Sequence, residues 1–503
     1  MTAVEIDAIV VLAAGEGTRM RSATPKVLHS IGGRSLLGHV LAACADAAAR
    51  EVVVVVGHRR EQVVRQVADS LAIARTAVQA EQLGTGHATQ VGLEQVAATH
   101  GVVVVVMGDT PLLRGQDLLE LAAEHATSKR AVTVLAAQPA DPSGYGRMAR
   151  DDNGELLEVV EEADATPEQR TIREVNTGIY AFDLIYLRSA LPRLGTDNAP
   201  GELYLTDIIG LARADGQQVG MAVMRDPVDT EGVNDRVALA ALGAVLNART
   251  LDRWMRAGVT VVDPTTTWVD VTVSLGRDVT IRPGVQLHGA TTVGDGAAIG
   301  PDSTLDDVQV AAGASVVRSH ASGAVIGVDA TVGPFAYLRP GTLVHPGAKV
   351  GAFVETKNAE IGPGAKVPHL SYVGDAEIGE GSNIGAGTIT ANYDGVSKHR
   401  TVVGRHCKTG ADNVFVAPVT IGDGAVTGAG TVVRRDVPPG ALAVSGGPQR
   451  HHDGWTAHRR PGSAAAAAAA APGKGGDVGQ TDAATSDATA PEASDQPEEG
   501  TQS

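Results

Sequence analysis

The sequence predicts an α/β domain built on a mainly parallel sheet, followed by a parallel β-helix. Three observations carry that reading. Compact β-branched runs alternate with helical stretches early in the chain, and further on aliphatic residues recur at every sixth position. The chain also holds 61 glycines among 503 residues, but only three Trp, seven Tyr and four Phe. Glycine at that level serves a fold that turns sharply and often, and the length suits roughly three units.

Taking the elements in order, Ala8–Leu12, Val52–Val56, Gly101–Met107 and Ala131–Ala136 have the length and composition of strands buried on both faces. Between the last two, Gln116–Ala126 sets Leu118, Leu119, Leu121 and Ala122 on a helical spacing. Strands alternating with helices give a mainly parallel sheet, assigned to residues 1–229. A connecting helix follows within 230–257, from about Asn234 to Ala257. Leu239, Leu242 and Leu246 form its apolar stripe, Arg249, Arg253 and Arg256 its basic end, and Gly258 its stop.

Residues 258–456 carry the repeat. Val269, Leu275, Ile281, Leu287, Val293, Ile299 and Leu305 lie six apart without a break. The phase slips, resumes at Ile326, Val332, Leu338, Val344 and Val350, and resumes again at Ile361, Val367 and Val373. Neither a helix nor a simple strand has period six. A parallel β-helix does, because each short flat face contributes one inward aliphatic and glycine turns the corners. Its narrow interior also accounts for the scarcity of aromatics. Residues 457–503, with eight alanines at 464–471 before Pro472-Gly473, bury too little apolar surface to offset ordering and are expected to be disordered.

Lys and Arg number 41 against 58 Asp and Glu, a net charge of −17 that argues against a nucleic-acid partner. Two cysteines, Cys44 and Cys407, cannot build a disulfide framework and fit a reducing compartment. No apolar run approaches the ~20 residues of a membrane span, and acids follow Met1 where a signal peptide would be basic. A soluble cytoplasmic protein without a membrane partner is expected.

Leu12-Ala13-Ala14-Gly15-Glu16-Gly17-Thr18-Arg19-Met20 follows the first strand, with Pro25-Lys26 shortly after. Small residues let backbone N–H groups approach phosphate oxygens, and Arg19 and Lys26 could neutralise a phosphoryl group under attack. An ordinary strand–turn–helix connection with two solvated cations reads equally well from these residues alone. Asp109 ends the Val102–Val106 strand, where open α/β sheets bind ligands, and one carboxylate there suits Mg²⁺. A turn or cap Asp is the plainer alternative. Gln79, Gly84 and Thr85 lie in a stretch able to read a base edge. Gly146, Glu161 and Asn176 stand among polar groups suited to sugar hydroxyls.

Together, Leu12–Met20 with Pro25-Lys26, Gly84-Thr85-Gly86-His87-Ala88 and Gly108-Asp109-Thr110-Pro111 resemble sugar-phosphate nucleotidylyltransferase motifs. With a hexapeptide β-helix behind a long helix, about residues 5–456 are similar, in collinear order, to a bacterial bifunctional enzyme family. Its members are N-acetylglucosamine-1-phosphate uridylyltransferases and glucosamine-1-phosphate N-acetyltransferases in one chain. The resemblance implies a Rossmann-like nucleotidylyltransferase domain followed by a left-handed parallel β-helix. It puts Leu12 and Ala13 at UTP or the UDP-sugar, Ala14, Gly15, Gln79, Gly84 and Thr85 at the uridine part, and Arg19 and Lys26 at the triphosphate and transition state. It puts Gly146, Glu161 and Asn176 at the amino sugar, and Mg²⁺ on Asp109 and Asn234. Asn234 opens the connecting helix and would otherwise read as its N-cap.

In the repeat, reactive groups interrupt the coil between Arg339 and Tyr393. His369 alone among them has an ordinary pKa suited to taking a proton near neutrality, while a structural histidine is the commoner reading of one on a repeat surface. Arg339 and Lys357 could bind a sugar phosphate. The resemblance makes His369 the general base of acetyl transfer from acetyl-CoA, with Glu355 orienting it. It sets Arg339, Lys357, Tyr372, Asn383 and Asn392 at the sugar phosphate of glucosamine 1-phosphate, and Ala386, Tyr393, Ala411 and Ala429 near the coenzyme. It also implies a homotrimer with sites between subunits, and a product, UDP-N-acetylglucosamine, that feeds peptidoglycan precursors. Two positions depart from the family pattern: Ala411 stands where many relatives have Ser, and Gly446 where some have a cation. Weaker acetyl-CoA binding is expected from both. Two rival readings stay open on sequence: a single-activity nucleotidylyltransferase with an oligomerising β-helix, and a non-catalytic assembly subunit.

Overall fold

The computed structural model describes residues 5–57, 60–196, 201–447 and 449–470. Seven strands of the first part run across one sheet in the order Val219–Val223, Val132–Ala137, Val175–Asp183, Val102–Met107, Ala8–Ala13, Glu51–Val56 and Ala74–Val78. Val175–Asp183 is antiparallel to both neighbours and the other pairs are parallel. A hairpin of Arg147–Arg150 and Leu156–Val160 joins the sheet at Val175. The central strands are continuous in Val, Ile and Ala because both faces are covered. Ile9, Val11, Val54 and Val104 pack into one core layer, and Val10, Val53, Val55 and Val103 into the other. The strands Ala8–Ala13 and Val102–Met107 lie side by side in parallel, so Ala14-Gly15 and Gly108-Asp109 emerge together at the carboxyl edge.

The connecting helix is Arg236–Arg256. Its cap corrects the sequence reading. Asp235, not Asn234, is the N-cap, its carboxylate accepting from the Val237 and Ala238 N–H groups, each at 2.9 Å. That leaves the Asn234 amide to face the sheet domain. Gly258 ends the helix as expected, at φ +99, with its N–H on the Met255 carbonyl.

From Thr260 the chain winds as a three-faced parallel β-helix. Ser274 pairs with Thr292, eighteen residues on, so a coil is three hexapeptides. Every aliphatic of the six-residue series lines one continuous core of Val, Ile, Leu and Ala, with Cys407 and Phe415 added. The phase slip after Leu305 is a short coil: Thr304 pairs with His320, sixteen residues on. Later, Ala376 pairs with Thr401, twenty-five residues on. The surplus lies within the segment 392–400, which carries Tyr393 and Val396 exposed.

The described residues up to Ser445 form one body. In the segment from Gly446 the backbone is helical over Trp455–Arg459 and Ala464–Ala470. The described part of 457–503 therefore departs from the expected disorder; alanine has the strongest intrinsic helix preference. Residues 471–503 of that expectation lie outside the described residues. Among the described residues, no helix is long and apolar enough to cross a membrane.

Candidate active sites

The first site lies at the carboxyl edge of the sheet, where four segments converge. Gly17 (φ +64) and Arg21 (φ +48) bracket the turn that carries Arg19. A Cβ on Gly17 would overlap the Lys26 side chain, so glycine lets the two segments lie together. Each chemical group stands near an apolar anchor in sequence: Met20 beside Arg19, Leu112 after Asp109, and Val233 before Asn234. With Ile31, Leu36 and Leu242 these anchors form a small core of their own. The Val233 N–H donates to the Asp109 carbonyl at 3.0 Å.

On that base the polar groups meet. Arg19 and Lys26 donate to Asn234 Oδ1 at 2.9 and 3.0 Å, and Lys26 is ion-paired with Asp109. The Lys26 ammonium thus marks a point on which one carboxylate and one amide oxygen converge. Such hard oxygen donors, few in number, fit Mg²⁺, which completes its shell with water and phosphate oxygens.

Leu12, Thr85, Gly146, Glu161 and Asn176 come together around a neighbouring cavity of about 190 Å³. Burial, and then Asp164 and Asp207, raise the Glu161 carboxyl above its usual range, with Thr206 opposing. Asn176 is pinned, donating to the Tyr180 hydroxyl at 2.8 Å and accepting from the Gly178 N–H at 3.0 Å. Gln79 lines a second cavity, of about 300 Å³, with Glu16, Gly57 and Gln82. Its amide holds the Gly84 carbonyl at 3.2 Å, while Gln82 holds that of Ala14 at 2.7 Å. Ala13 ends the first strand, and Ala14 and Gly15 follow it beside this group. Sequence reasoning missed Leu205 and Thr206 as lining of the sugar-sized cavity. Their segment is brought in by the Leu205 N–H on Thr85 Oγ1, across 120 residues, which no local pattern signals.

In the β-helix, strand register brings the second set together. Ala352 pairs with His369, and the pairings that follow carry the same position to Ala386, Ala411 and Ala429 on successive coils. His369 therefore heads a ladder of three alanines, a surface with little side-chain bulk. Its carbonyl accepts from Ser371 Oγ at 2.7 Å and the Gly387 N–H at 3.3 Å, fixing the backbone beneath an exposed imidazole. Asn383 lies on the same face as His369, in register between Lys366 and Lys408.

Arg339 and Lys357 occupy one register position of successive coils, at the far edge of the face that carries Tyr372. Contact with Lys398 of the 392–400 segment depresses the Lys357 amine, with desolvation adding to it. Crowded cations of this kind favour an anionic ligand, and Lys398 is a further member that the sequence reading missed. Asn392 donates to Asp375 and stands 3.5 Å from the Tyr372 hydroxyl. Glu355, expected to orient His369, instead accepts from Arg339 at 3.0 Å. A carboxylate prefers a guanidinium fork within reach.

Residues 9–175 match the MobA-like NTP transferase domain, and residues 400–435 match the bacterial transferase hexapeptide family. The chain is 57% identical to the bifunctional protein GlmU of Streptomyces avermitilis over 467 residues, 92% of this chain and 97% of that one. It is 59% identical to the GlmU of Rhodococcus jostii, covering 93% of this chain and 95% of that one. Against the GlmU of Mycolicibacterium gilvum it is 57% identical, covering 91% and 93%. The coil is the left-handed parallel β-helix of hexapeptide transferases, and the sheet domain is that of a nucleotidyltransferase. The chain belongs to the GlmU family, bifunctional enzymes of UDP-N-acetylglucosamine synthesis that join a uridylyltransferase to an acetyltransferase.

Proposed function

We propose that this chain acetylates glucosamine 1-phosphate first, in the β-helix, and then uridylylates the product at the sheet edge. The observation that carries this division is the separation of two constellations. Arg19, Lys26, Asp109 and Asn234 rest on a core that shares no residue with the coil beneath His369.

In the β-helix, Arg339, Lys357 and Tyr372, with Asn383 and Asn392, hold the sugar phosphate, while the alanine ladder and Tyr393 receive the coenzyme. His369 takes a proton from the 2-amine as its nitrogen attacks the thioester carbonyl, and the coenzyme thiolate leaves. At the sheet edge, Gln79, Gly84 and Thr85 hold the uridine part, and Gly146, Glu161 and Asn176 hold the amino sugar. A sugar-phosphate oxygen attacks the α-phosphorus of UTP, and pyrophosphate departs. Arg19 and Lys26 neutralise the charge that builds there, so positioning and electrostatics supply most of the rate. Mg²⁺ bound by Asp109 and Asn234 would add charge neutralisation on the triphosphate.

A homotrimer is supported by an apolar corner beside His369. Phe335 and Phe353 stack with centroids 5.2 Å apart, and Leu370 follows one coil on. All three have left-handed backbones, at φ 59, 56 and 50, and more than half of each is exposed. Bulky residues there cost about 1–2 kcal/mol each. A second copy covering the corner would bury them and bring a neighbour to the His369 site. Two free, buried cysteines are in keeping with work in the reducing cytoplasm.

The test supplies glucosamine 1-phosphate, acetyl-CoA, UTP and Mg²⁺ and identifies the products. His369→Ala abolishes acetylation and spares uridylylation of supplied N-acetylglucosamine 1-phosphate; Asp109→Ala does the reverse. Loss of both activities in either folded variant refutes the division.

A further inference from the structure

Asp229 is a carboxylate only 1% exposed, and none of the chemistry described above uses it. It belongs to the turn Pro227–Thr230, just before Val233 and Asn234. Arg249 of the connecting helix donates to its Oδ1 and reaches Asp226 Oδ2 at 2.9 Å. Arg114 stands 3.0 Å from Oδ2, off the line of a hydrogen bond, so that oxygen receives charge without a proton aimed at it. Arg114 is itself held by Asp117 through contacts of 3.1 and 2.9 Å. Burial pushes the Asp229 carboxyl up, against the pull of the two guanidiniums.

One buried carboxylate held by two guanidiniums that reach solvent is weak evidence of stability; its place in the chain gives it a use. Arg114 closes the loop that starts at Asp109, and Asp229 opens the segment that ends at Asn234. The same two segments are fastened at their other ends by the Val233 N–H on the Asp109 carbonyl. Loop and segment thus form a ring closed at two points, with Asp109 and Asn234 beside one of them. Arg249 ties the other to the helix whose Leu242 enters the small core under the site. Opening the Asp229 fastening would leave a hinge at Asp109 and Val233.

We propose that Asp229 is a positioning residue which, through Arg114 and Arg249, sets the separation of Asp109 and Asn234 and thereby the affinity of the sheet domain for a divalent cation. The proposal rests on the reading that Asp109 and Asn234 hold Mg²⁺. Supports of this kind behind a metal ligand are worth about 10–100-fold in metal affinity.

The experiment uses the full chain with Mn²⁺ alone as the probe, bound metal being read by electron paramagnetic resonance. The Mg²⁺ concentration for half-maximal uridylyl transfer is measured in parallel. Asp229→Asn and Arg249→Met weaken Mn²⁺ binding about tenfold and raise the half-maximal Mg²⁺ similarly. The rate at saturating Mg²⁺ stays within about threefold, as expected when a ligand support rather than a reacting group is lost. Arg249→Lys, which keeps a cation on Asp229, restores most of the affinity, and acetyl transfer does not change in any of them. A purely structural role predicts lower melting temperatures with Mn²⁺ affinity intact in Asp229→Asn, and that result overturns the proposal. Should Asp229→Asn fail to fold by circular dichroism, equal Mn²⁺ affinity in Arg249→Lys and Arg249→Met overturns it. Asp109→Ala is the control: if Mn²⁺ binding survives there, the metal reading falls and the proposal with it. If only Asp109→Ala loses the metal, the positioning role fails alone.

Discussion

Met20→Ala isolates the contribution of the small core under the sheet-edge site. Met20 is 1% exposed and packs with Ile31, Leu36, Leu112, Val233 and Leu242, so its loss empties space that five chain segments share. Truncating a buried Met costs about 2–5 kcal/mol. The cost falls locally, because Met20 belongs to neither layer of the sheet core nor to the coil core. Arg19 is its chain neighbour, and the Asp109 and Asn234 segments share the cavity. If roughly two-fifths of the middle figure of about 3.5 kcal/mol, about 1.4 kcal/mol, appears as lost transition-state positioning, kcat/KM for uridylyl transfer drops about tenfold. The acetyl-transfer rate of the same preparation is the internal reference and stays unchanged. Both rates are measured on one protein sample with supplied N-acetylglucosamine 1-phosphate and glucosamine 1-phosphate. Unchanged uridylyl transfer, or an equal fall in both, refutes the claim that this core positions the site.

Gly17→Ala forces a left-handed alanine against Lys26; at about 1–2 kcal/mol of backbone cost plus the overlap it depresses uridylyl transfer selectively, as a two-activity assay will read. Ala411→Ser supplies a hydroxyl at the middle of the alanine ladder, where the Ala411 carbonyl already accepts from the Gly430 N–H at 2.8 Å. It lowers KM for acetyl-CoA about two- to tenfold, one hydrogen bond's worth, and an unchanged KM refutes the inferred penalty. Glu161 carries a raised folded-state pKa, so its ionisation disfavours the fold: the stability it contributes is present below its unfolded pKa and lost as pH rises through the folded one. Glu161→Gln therefore raises the melting temperature at mildly alkaline pH, with the gain fading toward acid; a pH-independent shift counts against burial as the cause.

The elements most legible in the sequence were those whose pattern depends on burial alone. The six-residue series became the coil core residue for residue, since a narrow prism leaves each inward position one role. Four strands of the sheet domain, those with compact apolar runs, were found within a residue or so for the same reason. Asn234 was ambiguous on local grounds, because an asparagine before a helix serves equally as cap or ligand. Only Asp235 taking the cap, and two cations reaching Asn234 from over 200 residues away, separate those roles. Lys398, Thr206 and Asp229 were invisible for a related reason. Their partners are distant in sequence, so only the folded register brings Lys398 to Lys357 or Arg249 to Asp229. The bond that Glu355 accepts from Arg339, its coil neighbour sixteen residues back, was hidden for the same reason.

The twenty-five-residue coil has a further consequence. Pairing is regular on both sides of its extra residues, Glu355 with Tyr372 before them and Thr401 with Val419 after. Length has thus been added at one corner with no core aliphatic displaced. The segment 392–400 is anchored to the stack by Asn392 on Asp375, while its exposed tip adds nothing to the coil core, so changes at the tip leave that core intact. Tyr393 and Lys398 both ride on that segment. Diversification of acceptor preference among such enzymes would begin there, well before the barrel itself changed.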